Sequence, residues 1–399
     1  MDSLPPVLRR HWPLAGFAVL CAAYGWALVA ATGSGHDGVI GPHFNALGAD
    51  WVIFLAAGRA VFSHELAHVY DQAWITAAVN LQFGHWLSAP LPAPLFPYPP
   101  VYLLLVAPFA LLPVALSLAL SQALQFGALA WALKRFAPNR SWLFFAAGTL
   151  IAPAASNNVL AGSNAVLVAA LIVGGVVSLE RKPLLAGVLL GLTIFKPQFV
   201  PLLAVALVAG GYWRAMGAAA VTALLFVVAS VIAFGPGVWL QWANVYLHPQ
   251  VVAGVNATDW GHMWDDSVST CVSLLGAPHW LALAAQGAAA ILAVVAVWRV
   301  FKARSPGQLP VLLCAGLLAS PHVSNYDLIG LAIAAVALVR WLAPTTRPIM
   351  LMLPLAAYAA PLFNPPRAIW LGLVTPLILL AMIQVLGRAT LQRRGPRPA

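Results

Sequence analysis

The sequence predicts an all-α integral membrane protein of about 11 to 13 transmembrane helices with extracytoplasmic loops, and three observations lead there. Of 399 residues, 62% are hydrophobic and only 8% charged, with a mean hydropathy of +0.89, far from the composition of soluble globular proteins. Apolar runs long enough to cross a bilayer recur from Leu14 to the C-terminal tail. The Lys and Arg residues gather in alternate short loops, as they do on the cytoplasmic side of membrane proteins. The whole chain, 1–399, reads as one polytopic domain.

The first apolar run, 14–31, stands between Arg9-Arg10 and "ATGSG". It is long for a cleavable signal and reads as a retained helix. Further spans are expected near 98–133, 141–155, 163–179, 184–195, 197–211, 215–234, 280–298, 308–320, 325–339, 349–363 and 369–386. Both termini then lie inside, and 17 of the 20 basic residues face the cytoplasm, leaving Arg59, Lys196 and Arg367 outside. The formal charge of +10 is therefore a topology signal and gives no reason to expect nucleic acid as a partner. The stretch 98–133 is long for one straight span and contains Pro108 and Pro113, so one crossing and two are both open. The short pairs flanking Lys196 and Asp327 read as crossings or as half-helices that dip in and return.

Eight of the ten acidic residues and nine of the ten histidines fall outside on this map, mostly in two loops, 32–97 and 235–279. In the first, "DWVIFLAAGRAVF" spaces Trp51, Phe54, Leu55, Arg59 and Phe62 as an amphipathic helix suited to the membrane interface. In the second, "NVYLHPQVVAGVNATDWGHMWDDS" sets rings beside amides and carboxylates. That composition suits an aromatic belt and equally a sugar or lipid-headgroup grip. Cys21, Cys271 and Cys314 suggest neither a disulfide framework nor a zinc knuckle. No Gly-rich nucleotide loop is present, so a soluble nucleotide donor has no obvious seat.

His64-Glu65-Leu66-Ala67-His68 has the letters of a zinc-protease helix, with two imidazoles one turn apart and a carboxylate between them. The third ligand that such sites take from a nearby element is not evident in "HVYDQAW". A chance string in a histidine-rich loop is the expected reading, with an intramembrane zinc metalloprotease as a distant alternative.

Several stretches, taken in order, resemble glycosyltransferase family 87: "ALGADWVIFLAAGRAVF", "HVYD", "FPYPPVYLLLVAPFALLP", "NNVLAGSNAVLVAAL", "AGVLLGLTIFKPQFVPLL" and "LASPHVSNYDLIGLAIA". The resemblance covers roughly residues 10–345. It implies a GT-C-like bundle with an interfacial helix and a hexosyltransferase, mannose favoured. The implied donor is a polyprenyl-phosphate sugar, and the acceptor a cell-envelope glycolipid or glycan. Reaction with inversion is expected on the extracytoplasmic face of a bacterial inner membrane.

The same resemblance implies roles for particular residues. Asp50 is expected to take the acceptor hydroxyl's proton, although a carboxylate beside Trp51 also suits a helix cap. Lys196 of "FKPQ" is a cation between short apolar segments, where burial at mid-membrane costs about 2.5 to 3.5 kcal/mol on insertion scales, so a partner is expected. The donor phosphate is the natural one. Arg59 and His322 are further phosphate candidates; Tyr98, Asn164, Gln198, Tyr326 and Asp327 are expected to touch substrate. Ser163 stands where relatives often have Gln, which removes one long amide. No cofactor is required, although Asp50, Asp265 and Asp266 admit a divalent metal. A lipid-linked sugar flippase is the runner-up reading; it predicts inverted repeats and a midplane site, and no repeat is visible between the halves.

Overall fold

The computed structural model describes residues 6–10, 12–33, 47–92, 94–137, 141–247, 265–342, 346–362 and 374–391. Among them the chain is helical, and extended backbone pairs only in an isolated antiparallel bridge between Asp265 and Ser324. Helices α1 (Pro6–Arg10) and α2 (Trp12–Gly33) come first, then α3 (Ala49–Ala60) and α4 (Gln72–Phe83) in the first loop. Next are α5 (Val101–Ala110), α6 (Val114–Phe136), α7 (Ser141–Leu150), α8 (Pro153–Ala161) and α9 (Ala165–Ser178). The central part holds α10 (Pro183–Gly191), α11 (Val200–Gly210), α12 (Trp213–Phe234) and α13 (Pro236–Leu247). The last third holds α14 (Val268–Leu274), α15 (His279–Lys302), α16 (Gln308–Ala319), α17 (Ile329–Trp341), α18 (Met352–Ala359) and α19 (Val374–Leu391). Asp37, Asn256, Asp259, Trp260 and Arg367 lie outside the described residues.

Among the described residues α6, α12 and α15 are each long and apolar enough to cross a membrane, and the pair α7–α8, bent by 50°, makes a fourth candidate. Pro and Gly divide much of the remaining apolar sequence into shorter helices. Pro113, with ψ 146°, ends the helical path after α5, and α6 starts at the next residue. Helix α5 stays against α3, where Gly58 brings the backbones so close that a Cβ would stand 2.9 Å from Ala110 Cβ. Helix α6 runs parallel to α9, with Gln122 and Gln125 at Ser163 and, further along both helices, Trp131 packed on Gly174. The stretch 98–133 is therefore two helices, α5 beside α3 and α6 beside α9, broken at Pro113.

Two helical hairpins, α10–α11 and α16–α17, define the middle of the molecule. The first turns at Lys196 between 3-10 segments Leu192–Phe195 and Pro197–Phe199; the second turns between Ser320 and Leu328. Their tips are joined by a buried ion pair, Lys196 Nζ to Asp327 Oδ1 at 2.6 Å. Their bases are tied by Tyr212, whose hydroxyl donates to Glu180 (2.7 Å), and by Arg304, which reaches Glu180 (3.4 Å) and the Gly210 carbonyl (3.2 Å). From Lys182 to Lys196 the helical rise is about 21 Å, short of a hydrocarbon core of about 30 Å.

Helix α3 forms where the amphipathic pattern predicts one, but protein covers its apolar side chains: Trp51, Val52, Phe54 and Leu55 are all buried. Its start is fixed by a contact between two left-handed glycines. Gly48 (φ +77°) is the N-cap of α3 and donates its N–H to the Leu160 carbonyl (2.8 Å). Gly162 (φ +71°) ends α8, and a Cβ on it would lie 2.9 Å from Gly48 Cα and 2.6 Å from Trp51 Cβ. Neither the conformation nor the space admits a side chain.

This geometry sets up a stability comparison. Gly162→Ala combines left-handed strain of about 1 to 2 kcal/mol with an overlap that must push α3 away from α8, so it should lower the melting temperature of the detergent-solubilised protein sharply. Gly211→Ala, equally left-handed (φ +69°) but with nothing within 4 Å, should show the strain alone. Equal shifts for both would sink the proposed contact.

Candidate functional site

Asp50 lies in the first turn of α3, two residues after the capping Gly48, and its side chain caps nothing. The capping role that its place beside Trp51 also allowed is filled by a backbone turn at Gly48 instead. Its half-buried carboxylate lies within range of the Tyr326 hydroxyl and of the charges of Lys196, Asp327 and His322. Burial pushes the Asp50 carboxyl up to about 6, while Tyr326, Lys196 and His322 pull it down and Asp327 adds to the rise. A carboxylate so poised is basic enough to accept a proton near neutral pH.

Beside it stands the pair Lys196–Asp327. Lys196 is 3% exposed, its ammonium 5.7 Å from the centre of the Tyr326 ring. The other Asp327 oxygen accepts the Ser324 N–H (3.1 Å). The partner expected for Lys196 from its cost of burial is thus present within the chain, as a carboxylate.

His322 is held from behind. Its Nδ1 lies 3.3 Å from Asp265 Oδ2, and the side chain remains 57% exposed; Nε2 is 3.3 Å from the Ser324 hydroxyl. Asp265 is fixed in turn: Oδ1 accepts the Ser267 and Val323 N–H groups, both at 2.9 Å, and Oδ2 accepts the Thr270 hydroxyl at 2.8 Å. Loss of hydration works against the charged imidazole, and Asp265 more than offsets it, so His322 titrates above its ordinary value. Asp266 is different: it is buried, and its Oδ1 has no hydrogen-bond partner among the described residues. Burial, with Asp265 and Asp327 nearby, pushes its carboxyl up to about 8.

An aromatic and amide wall completes the site. Tyr98 donates to Asn164 Oδ1 (3.3 Å), its ring stands 4.4 Å from that of Tyr102, and Tyr102 stacks on Phe195 (5.4 Å), the residue before Lys196. Asn164 Nδ2 is buried without a partner among the described residues. The turn that carries Asn164 is built by Asn158, whose Oδ1 accepts the N–H groups of Ala165 (3.0 Å) and Val166 (3.3 Å) while its amide donates to Gln122 (2.8 Å). Gln198 is half-buried on the 3-10 turn after Lys196 and makes no hydrogen bond to a described residue.

The structure brings Asp50, Lys196, His322, Tyr326 and Asp327 together and puts Tyr98 and Asn164 beside each other. It does not bring Arg59. Nine residues after Asp50, Arg59 is about 13 Å along α3 and on the opposite side, bonded to the Ala110 carbonyl (3.3 Å) and Gln82 (3.4 Å) with its guanidinium over Phe83. The "HELAH" string is not an α-helix. His64 has φ +61°, a 3-10 turn starts only at Leu66, and His68 stacks on Trp74, so the two imidazoles do not share one helical face. Among the described residues no three His, Cys, Asp or Glu side chains are grouped to hold a metal ion. Asp265 already spends both oxygens on protein donors, so the carboxylates named from sequence do not assemble a cation cage, and no step is assigned to a metal.

Two contributors were not assigned from sequence. Asp265 was one loop carboxylate among several; its role follows from "DDS" meeting "PHVS", a contact between segments 58 residues apart. Tyr102 sits inside an apolar run and gave no signal.

A search of curated proteins and a search of solved structures return no match to this chain. The sequence model of one family, described as Glycosyltransferase family 87, matches residues 96–321, more than half of the chain and including Tyr98, Asn164, Lys196 and the turn before His322. The chain is a membrane protein that belongs to glycosyltransferase family 87.

Proposed function

We propose that the protein transfers a hexose, mannose in the first place, from a polyprenyl-phosphate sugar to a glycolipid or glycan of the cell envelope. The reaction is placed on the extracytoplasmic face of a bacterial inner membrane and inverts the anomeric centre. The observation that supports it most is the setting of Asp50: a carboxylate titrating near 6, with no cation bonded to it among the described residues, beside the side chains of Lys196 and His322.

The chemistry asks for those groups. Asp50 takes the proton of the acceptor hydroxyl as that oxygen bonds to the anomeric carbon. The bond from that carbon to the phosphate oxygen breaks on the opposite side, and its electron pair leaves with the lipid phosphate. His322, exposed and biased toward its charged form by Asp265, meets the departing negative charge. Lys196 has three N–H donors; Asp327 takes one, and the others suit a phosphate oxygen. Tyr98, Asn164, Gln198 and Tyr326 offer rings, amides and hydroxyls to the sugars. Arg59, held by Gln82 and Ala110, is assigned a structural role in this reading. Mannose rests on the habits of the family and on no contact in the site.

Three outcomes are expected, all measured by product mass with a panel of polyprenyl-phosphate sugars and envelope acceptors. Asp50→Asn should fold and lose about 10² to 10⁴ of turnover, the usual contribution of a positioned base; near-normal turnover would remove Asp50 from the mechanism.

The pH profile of kcat/KM should be bell-shaped. A base must be deprotonated, so activity rises through about pH 6 as Asp50 ionises; an acid must be protonated, so activity falls as His322 loses its proton above its ordinary value. Asp265→Asn removes the carboxylate that holds up the imidazole and should move only the alkaline limb, downward. An unmoved alkaline limb counts against His322.

Lys196→Ala should raise the donor KM about tenfold or more and leave the acceptor KM nearly unchanged, because a charge-assisted bond contributes about 1.5 to 3 kcal/mol. Breaking one side of a buried pair also destabilises by about 3 to 5 kcal/mol. The doubly neutral Lys196→Met/Asp327→Asn is the folding control, and it should recover stability but not donor affinity. Recovery of both would make Lys196 a structural residue.

A further inference from the structure

At the base of the first hairpin, at the opposite end of α10 from Lys196, a cavity of about 510 Å³ is lined by Lys182, Pro183, Leu184, Leu185 and Arg214. The side chains of Lys182 and Arg214 are exposed and make no hydrogen bond or ion pair with a described residue. The nearest acidic residue in sequence, Glu180, is already engaged by Tyr212 and Arg304. Two unpaired cations therefore face one hollow with no carboxylate in its lining. Helices α10 and α12 both begin here, and no side chain caps either start, so the partial positive ends of both add to the same field.

We propose that this cavity binds the headgroup of an anionic phospholipid. The charge selects an anion, and the rest of the lining selects a lipid over a soluble phosphate. Three of the five lining residues are apolar, Leu184 is 65% and Trp213 59% exposed, and Val188, one turn beyond Leu184, continues the exposed apolar strip along α10. A free anion gains nothing from that strip, whereas acyl chains beside it complete the burial. Basic pockets between membrane helices are the usual seats of acidic headgroups. The lipid bridges the starts of α10 and α12, which already cross closely where Gly187 and Gly191 meet Ala215, Ala219 and Thr222, and so steadies the helix that carries Lys196 at its far end.

The site is independent of the transfer reaction, and its test needs no activity. The purified protein in neutral detergent is offered equimolar phosphatidylglycerol and phosphatidylcholine, and retained lipid is counted by native mass spectrometry. Phosphatidylglycerol should be kept in preference by about tenfold. Lys182→Ala/Arg214→Ala should abolish that preference, while the charge-preserving Lys182→Arg/Arg214→Lys should keep it and serve as the folding control. Equal retention of the two lipids by the wild type, or an unchanged preference in the alanine pair, overturns the proposal. So does inorganic phosphate that raises the melting temperature as much as phosphatidylglycerol, because the ligand is then a soluble anion.

Discussion

A lysine and an aspartate withdrawn from water hold two helical hairpins tip to tip, and most of what stands around them follows from that bond. An ammonium or a carboxylate alone at such a position loses hydration worth several kcal/mol; together, at 2.6 Å, they offset much of each other's cost. The hairpins that carry them are too short to cross a membrane as straight rods, and their bases are joined separately through Glu180, Tyr212 and Arg304. Fixing both ends leaves the tips little freedom. Ser324, Tyr326 and His322 belong to the same turn as Asp327, so a bond that fixes Asp327 also fixes the hydroxyl beside Asp50 and the imidazole beside it.

The other half of the site is positioned by the absence of side chains. Gly48 starts α3 and Gly162 ends α8, and their close approach sets Asp50 at a defined distance from the turn that holds Asn164. Trp51 completes the contact, packed under Gly162 and anchored by its indole N–H to the Ser117 hydroxyl (2.9 Å). Helix α3 is thereby a buried strut whose first turn carries Asp50 and whose last turn, through Arg59, is bolted to α4 and α5. That division explains why two charged residues of one short helix have unrelated surroundings.

Much of this was legible in the sequence where the signal is local. Apolar runs, basic loops and the proline breaks gave the helical membrane class, and a lone Lys in "FKPQ" announced a buried cation that had to be paired. What was not legible is which carboxylate pairs it. Asp327 is 131 residues away, and a single sequence carries no measure of that separation. The interfacial reading of "DWVIFLAAGRAVF" met the same limit: the pattern shows an apolar face, and only the fold shows that α4 and α5, not lipid, cover it. "HELAH" is the converse, a short-range pattern whose meaning depends on an α-helix that the chain ends at Ala60, before the first histidine.

Charge balance gives the site a direction. Lys196 is neutralised by Asp327 and a charged His322 by Asp265, and Asp266, raised to about 8, is largely protonated at neutral pH. Among the described residues Asp50 is then the carboxyl group of the cluster that is neither bonded to a cation nor largely protonated, held near 6 by burial. On the proposed reading, the donor brings a phosphodiester anion toward Lys196 and His322, and a new negative charge nearby raises the pKa of a carboxylate. Donor binding therefore makes Asp50 a stronger base and moves it toward neutral pH, where a general base works best. The acceptor's proton is drawn most strongly only after the donor is in place, so the carboxylate is at its most basic when there is a sugar to transfer.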